Sequence, residues 1–108
     1  MAAARKRASK PVKAADEITA VRCVSGDGWI REERWEDAGG NVVRYNLAFI
    51  NFHLFPTDNG RVLGYDTAHG QPHRHFAGIA EPIERAPFSE IFDRFIAEVV
   101  ELRQMRKL

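Results

Sequence analysis

The sequence predicts an α+β domain of two layers, an antiparallel sheet of about five strands packed by a C-terminal amphipathic helix. Three observations lead there. Between residues 18 and 79, short stretches alternate apolar with polar side chains at period two, the signature of strands with unlike faces. The stretches are separated by compact turn clusters, and strands joined so closely pair antiparallel, because a parallel pair needs a crossover of about a dozen residues or more. After Pro87 the period changes to three and four residues, which lines up one face of a helix.

Size and composition agree with a single domain. The chain has 108 residues, of which 44% are hydrophobic, in the range of one ordinary domain and too apolar for wholesale disorder. No apolar run reaches the roughly 18 residues of a membrane span, and no apolar run follows the basic N-terminus, so neither a membrane protein nor a secretory signal is expected. A cytoplasmic setting follows as the expectation. Cys23 stands alone, which excludes an internal disulfide and a cysteine-based zinc site. The net charge of +1 hides an asymmetry. Arg5, Lys6, Arg7, Lys10 and Lys13 give residues 1–13 a charge of +5 with no acid, leaving −4 on the rest. We therefore expect a basic flexible tail over residues 1–15 and one α+β domain over 16–108. The tail is either a solvated extension or an electrostatic contact for nucleic acid.

The elements follow in order. Residues 18–24 alternate Thr, Val and Ile with other side chains as a strand, closed by Ser25-Gly26-Asp27-Gly28. Residues 10–17 admit a short helix before it. In residues 29–35, Trp29, Arg31, Glu33 and Trp35 share one face and Ile30, Glu32 and Arg34 the other. So charged a strand belongs at an edge or has a wet face. Asp37-Ala38-Gly39-Gly40-Asn41 suits a hairpin turn. Residues 42–55 form the most apolar stretch and predict a central strand, bent near Asn51. Asn59-Gly60 fits a turn with positive φ, and a short strand over 61–66 follows with Val62 and Leu63. A loop over 68–72 leads to a strand at 73–79. Phe88, Ile91, Phe92, Phe95, Ile96, Val99, Leu102 and Met105 then mark a helix over 87–106. Pro87 suits its first turn, while Glu90 and Asp93 near its start and Arg103, Arg106 and Lys107 near its end complement the helix dipole.

One segment carries chemistry, Tyr65-Asp66-Thr67-Ala68-His69-Gly70-Gln71-Pro72-His73-Arg74-His75. His73 and His75 are two apart, so on a strand they share a face, with Arg74 on the other. Gly70 and Pro72 tighten the approach and fold His69 towards that pair. Three readings stand side by side. In the first, His69, His73 and His75 work as general acid and base in metal-free phosphodiester cleavage, taking the proton of a ribose 2′-OH and protonating the leaving 5′-oxygen. Arg74 or Arg61 then stabilises the transition-state charge and Tyr65 holds the phosphate. In the second, the three histidines and Asp66 bind a divalent metal such as zinc or nickel. In the third, the histidines are structural and Asp66 caps the turn. His53, inside an apolar stretch, reads as a packed core or rim histidine. Trp29 and Trp35 either stack bases or serve the core or an interface. Asp27, Glu32, Glu33, Glu36 and Asp37 read as exposed strand and turn charge.

The run from Arg61 to His75 resembles the signature of the TumE-like family, small toxins of bacterial toxin–antitoxin pairs. The family pattern is a tyrosine–aspartate pair, a small segment, a histidine and an HxH cluster, which falls on Tyr65, Asp66, His69, His73 and His75. The aromatic-rich strand before it and the amphipathic helix after it extend the likeness over residues 18–105, outside the basic tail. Thr67 departs from the asparagine frequent at that place. The resemblance implies a candidate ribonuclease with a helix-turn-helix antitoxin as partner. The expectation is therefore an RNA-cleaving or RNA-binding module with Tyr65, Asp66, His69, His73, Arg74 and His75 as its site and no cofactor. Two alternatives are a non-catalytic partner-binding protein, which includes a homodimer through the helix, and a metal-dependent hydrolase using the same histidines.

Overall fold

The computed structural model describes residues 10–108; the first nine, with Arg5, Lys6 and Arg7 of the basic tail, lie outside the described residues. The chain runs β1 (Val12–Val21), β2 (Gly28–Glu36), β3 (Val42–Ile50), β4 (Arg61–Asp66), β5 (His73–Phe76), β6 (Ile79–Pro82) and α1 (Phe88–Leu102). The strands form one sheet in sequence order, every neighbouring pair antiparallel. The α+β class and the C-terminal helix stand as read from the sequence; among the described residues the sheet has six strands rather than about five.

Three local differences have physical causes. Residues 10–17 are not a helix: β1 starts at Val12 and pairs Val12 with Glu36 and Lys13 with Trp35. The sheet therefore begins four residues before the expected domain start at 16. β3 ends at Ile50 because Asn51 turns the chain. The Asn51 side chain is fully buried. Its amide donates to Ser25 Oγ (3.2 Å) and Gly26 O (2.9 Å), and its Oδ1 accepts from the backbone N–H of His53 (2.9 Å) and Leu54 (3.2 Å). His53 consequently sits in the turn beyond β3, exposed, with its ring over Gly26, at the rim and not in a core strand. The stretch over 73–79 splits into β5 and β6, with Phe76 paired to Ile79 across Ala77-Gly78. Both loop residues have positive φ (49° and 84°), as a tight hairpin twisted to match its strands requires.

The helix also ends earlier than residue 106. After Leu102 the Arg103 carbonyl accepts from Val24 N–H (2.9 Å) and its guanidinium donates to Arg22 O (3.0 Å), which holds the end of α1 to the β1–β2 connection.

The core lies between α1 and the middle of the sheet. Tyr45, Leu47 and Phe49 of β3 and Leu63 and Tyr65 of β4 point to the helix, where Ile91, Phe95, Val99 and Leu102 meet them. Tyr65 meets Phe95 edge-on at 6.2 Å, and Tyr45 packs against Phe88 at 5.4 Å. Each fully buried large apolar side chain contributes about 1.5–3 kcal/mol relative to exposure. The turns are closed by carboxylates: Asp27 accepts from Cys23 N–H (3.1 Å), and Asp37 accepts from Gly39 N–H (2.8 Å) and Asn41 N–H (3.0 Å). The bonds from Asn41 and Gly39 hold the Asp37 carboxyl below the usual range. Glu32 and Glu36 pair with Arg34. These acids are turn and strand charge, as their positions implied.

Among the described residues no helix covers the other face of the sheet. That face carries Trp29, Arg31, Glu33 and Trp35 from β2, Arg44, Asn46 and Ala48 from β3, Gly64 and Asp66 from β4, and His73 and His75 from β5. It is the wet face that the charged second strand implied.

Candidate functional site

Strand alternation places the chemistry. In β5, His73 and His75 point to the open face and Arg74 and Phe76 to the helix; in β4, Gly64 and Asp66 point to the open face and Leu63 and Tyr65 to the helix. The six residues singled out from the sequence therefore divide between two faces.

On the open face, the His73 and His75 rings lie side by side, centroids 6.4 Å apart. His73 Nδ1 sits 2.8 Å from Gln71 O. A carbonyl only accepts, so Nδ1 carries the hydrogen and Nε2 is the nitrogen able to take a proton. His75 Nε2 lies 2.9 Å from Asp66 Oδ2, within ion-pair distance when the ring is protonated. The approach is off the line of a hydrogen bond, however, and this nitrogen is buried with no aligned partner. The other Asp66 oxygen accepts from Ala68 N–H (3.2 Å), so the residue caps the loop and contacts the imidazole at once. Thr67 ties the loop to β3, its Oγ1 accepting from Tyr45 N–H at 3.1 Å. Arg61 completes the group. Its guanidinium reaches Asp66 (3.9 Å) and Asp58 (3.1 Å). Its stem crosses Gly64, where a Cβ would lie 3.0 Å from Arg61 Cδ. The glycine thus keeps the floor low enough for the arginine to lie across it. His69 belongs to the 3-10 turn Ala68–Gly70; its side chain lies outside the described residues, so its expected convergence on the pair does too.

Tyr65 and Arg74 stand on the other side of the sheet and do not join this group. The Tyr65 hydroxyl donates to the Glu98 carboxylate of α1, and Arg74 donates to the same carboxylate through Nε (3.1 and 3.2 Å) and Nη2 and reaches Glu81 at 3.5 Å. Burial, and then the bond to Glu98, push the Tyr65 hydroxyl up to about 12. The Glu98 bonds raise the Arg74 guanidinium further above its ordinary value. The pairing of Tyr65 and Arg74 with the histidines on one ligand is thereby corrected: a sheet separates them, and the cation beside Asp66 is Arg61. Glu98 escaped the sequence reading. Its signal was a carboxylate on the apolar stripe of the helix, three residues after Phe95 and one before Val99.

Beside Asp66 the open face holds a hollow of about 270 Å³, walled by Glu33, Trp35, Arg44 and Asn46 among others. The Arg44 guanidinium lies 4.2 Å over the Trp35 ring and Lys13 Nζ 5.2 Å from its centre. Asn46 donates its amide to Glu33 Oε1 (3.1 Å), whose other oxygen receives Lys13 (2.9 Å) and Arg31 (3.3 Å). Hydrogen bonds to Asp16 and Glu33 raise the Lys13 ammonium, and the bond from Lys13 lowers Asp16. Neither tryptophan belongs to the buried core: Trp35 lines this hollow, and Trp29 stands at the end of the face against Phe52 (6.2 Å).

Among the described residues no three His, Cys, Asp or Glu side chains converge as a metal-ligand set, and no helix is long and apolar enough to cross a membrane. No protein-family model, curated protein or solved structure matches the chain. What the geometry of the described residues defines is a class, an antiparallel meander packed by one C-terminal helix, with an open face on which two imidazoles, a carboxylate and a guanidinium meet.

Proposed function

We propose that the chain is a toxin-like, RNA-directed protein of a toxin–antitoxin pair, cleaving RNA by acid–base catalysis on the open face of its sheet. The observation that carries the reading is the pair of adjacent imidazoles beside Asp66 and Arg61; the likeness of residues 61–75 to TumE-like toxins supplies the biological setting. His73 Nε2 takes the proton of a ribose 2′-OH, and the 2′-oxygen attacks the adjacent phosphorus. The bond from phosphorus to the 5′-oxygen breaks, and His75 gives that oxygen a proton through the ring nitrogen facing away from Asp66. A 2′,3′-cyclic phosphate and a free 5′-OH result. Asp66 accompanies the positive charge on the protonated His75 ring, and Arg61 offers donors to the phosphoryl oxygens as charge builds there.

The test is incubation of the purified, untagged protein with RNA in excess chelator. We expect cleavage with a bell-shaped pH profile, reduced by roughly 10²–10⁴ in His73→Ala/His75→Ala. Undiminished cleavage by that double variant removes this site. Cleavage restored only by stoichiometric zinc or nickel transfers the site to metal-dependent hydrolysis.

A second reading rests on the sheet edge. Among the described residues β1 pairs only with β2, and it is exposed along almost its whole length, with Val12 at 69% and Ile18 at 67%. Such an edge accepts a strand from a partner, which suits a non-catalytic protein that binds its helix-turn-helix antitoxin or a second copy of itself. Capture of that one partner with no nuclease activity at any pH favours this reading.

A further inference from the structure

We infer that the hollow beside Asp66 is a nucleobase subsite that holds one unpaired adenine of an RNA strand. Its location next to a cleavage site rests on the acid–base reading above; its own chemistry does not.

Register carries the first part of the argument. Asp16 pairs with Glu33, Glu33 with Asn46, Asn46 with Asp66, and Asp66 with His73. All five side chains stand on the open face, so they form one polar row across five strands. Neighbouring strands lie about 4.8 Å apart, which sets Asn46 roughly 10 Å from His73, the scale of one nucleotide. Asp66 belongs both to the wall of the hollow and to the histidine group. A ligand in the hollow thus has its next group against the imidazoles.

The walls supply the second part. Arg44 stacked at 4.2 Å on Trp35 is a flat cationic plate, a surface on which a base stacks regardless of its identity. Asn46 supplies identity. One of its amide hydrogens is committed to Glu33 Oε1, which holds the amide in place and leaves one hydrogen and Oδ1 for a ligand. That donor–acceptor pair matches the N7 acceptor and the N6 amino donor of adenine. Glu33 would repel a nucleotide if bare, but Lys13 and Arg31 already pair with it. With Arg44 and Arg61, four cations face the carboxylates of Asp16, Glu33, Asp58 and Asp66, so the row is balanced, and Arg44, which pairs with no carboxylate among the described residues, is left for a phosphate-bearing ligand.

The test is titration of the full chain with AMP, UMP and ribose 5-phosphate, read from the NMR signals of the Trp35 indole N–H and the Asn46 side-chain amide. We expect saturable shifts with AMP, weaker binding of UMP, and no movement of the Asn46 amide with ribose 5-phosphate. Asn46→Ala is expected to weaken AMP binding roughly tenfold with an unchanged thermal melt. Trp35→Leu is expected to weaken it similarly, while Trp35→Phe keeps most of it. Equal shifts from ribose 5-phosphate, equal affinities for AMP and UMP, or no shift at millimolar AMP would each overturn the inference. Binding of AMP without RNA cleavage keeps the subsite and sinks the acid–base reading. Cleavage with KM untouched by Asn46→Ala does the reverse.

Discussion

Two buried polar side chains show how single residues set local structure. Asn51 satisfies both ends of its amide inside the protein, bridging the β1–β2 turn to the turn after β3. Asn51→Ala takes their partner from the His53 N–H and the Gly26 carbonyl and empties a fully buried position, so we expect a loss of about 2–4 kcal/mol in urea unfolding. Tyr65 is held protonated by burial and by Glu98, its ionisation moved from 10.0 to about 12. A raised value stabilises the fold in full below the unfolded value. As pH climbs from 10 to 12 the unfolded tyrosine ionises while the folded one does not, and about 2–3 kcal/mol of stability is lost. Tyr65→Phe removes the titrating group along with a hydrogen bond. We expect the variant to be about 1 kcal/mol less stable at pH 8 and to lose less than the native protein between pH 10 and 12, measured by unfolding at each pH.

At the scale of elements, the β5–β6 hairpin decides how the histidines are presented, since β5 has only four residues and is paired on both sides. Its two-residue loop places Ala77 at a φ of 49°, a conformation a Cβ disfavours. Ala77→Gly or Ala77→Asn relieves that strain, and we expect a gain of about 0.5–1 kcal/mol offset in part for glycine by the greater freedom of its unfolded chain. A fall in the melting temperature with Ala77→Asn would contradict this account. The β4 floor acts on the same site from the other side. Gly64→Val puts branched carbons where Arg61 Cδ now lies, so Arg61 must leave Asp66. In RNA cleavage we expect that variant to behave like Arg61→Ala, with kcat lowered in both.

Across the whole molecule, what could be read from the sequence follows from which forces are local. Period located β2 and α1, because burial on one face imprints alternation or a three-to-four spacing on consecutive residues, while apolar content located β3 and the turn before Arg61 located β4. Period also assigned Trp29, Arg31, Glu33 and Trp35 correctly to one face. β1 was legible only in its second half: Val12 to Glu17 is exposed on most sides and is held as a strand by pairing with β2, a contact distant in sequence. β6 is exposed throughout, so it has no buried face to leave a pattern. The histidine pair was legible from its spacing and Arg61 as one of two candidate cations, whereas Glu98 was not, because it arrives from α1.

That same arrangement makes the molecule two-sided in its energetics. One helix seals one face, and the fully buried Leu47, Phe49, Leu63, Tyr65, Ile91 and Phe95 belong to that side. The other face carries polar side chains that are only half-buried. Stability is therefore concentrated on the helix side and chemistry is free to vary on the other. Phe95, fully buried against Tyr65, is expected to cost about 3–5 kcal/mol when replaced by alanine. His73→Ala/His75→Ala removes more polar atoms than any single change, yet we expect it to alter unfolding free energy by less than about 1 kcal/mol, because neither ring is packed in the core and the buried Nε2 of His75 has no aligned bond to lose. Urea unfolding of the three proteins side by side decides the point. A double-histidine variant as unstable as Phe95→Ala would mean that the imidazoles hold the sheet together rather than serve a ligand.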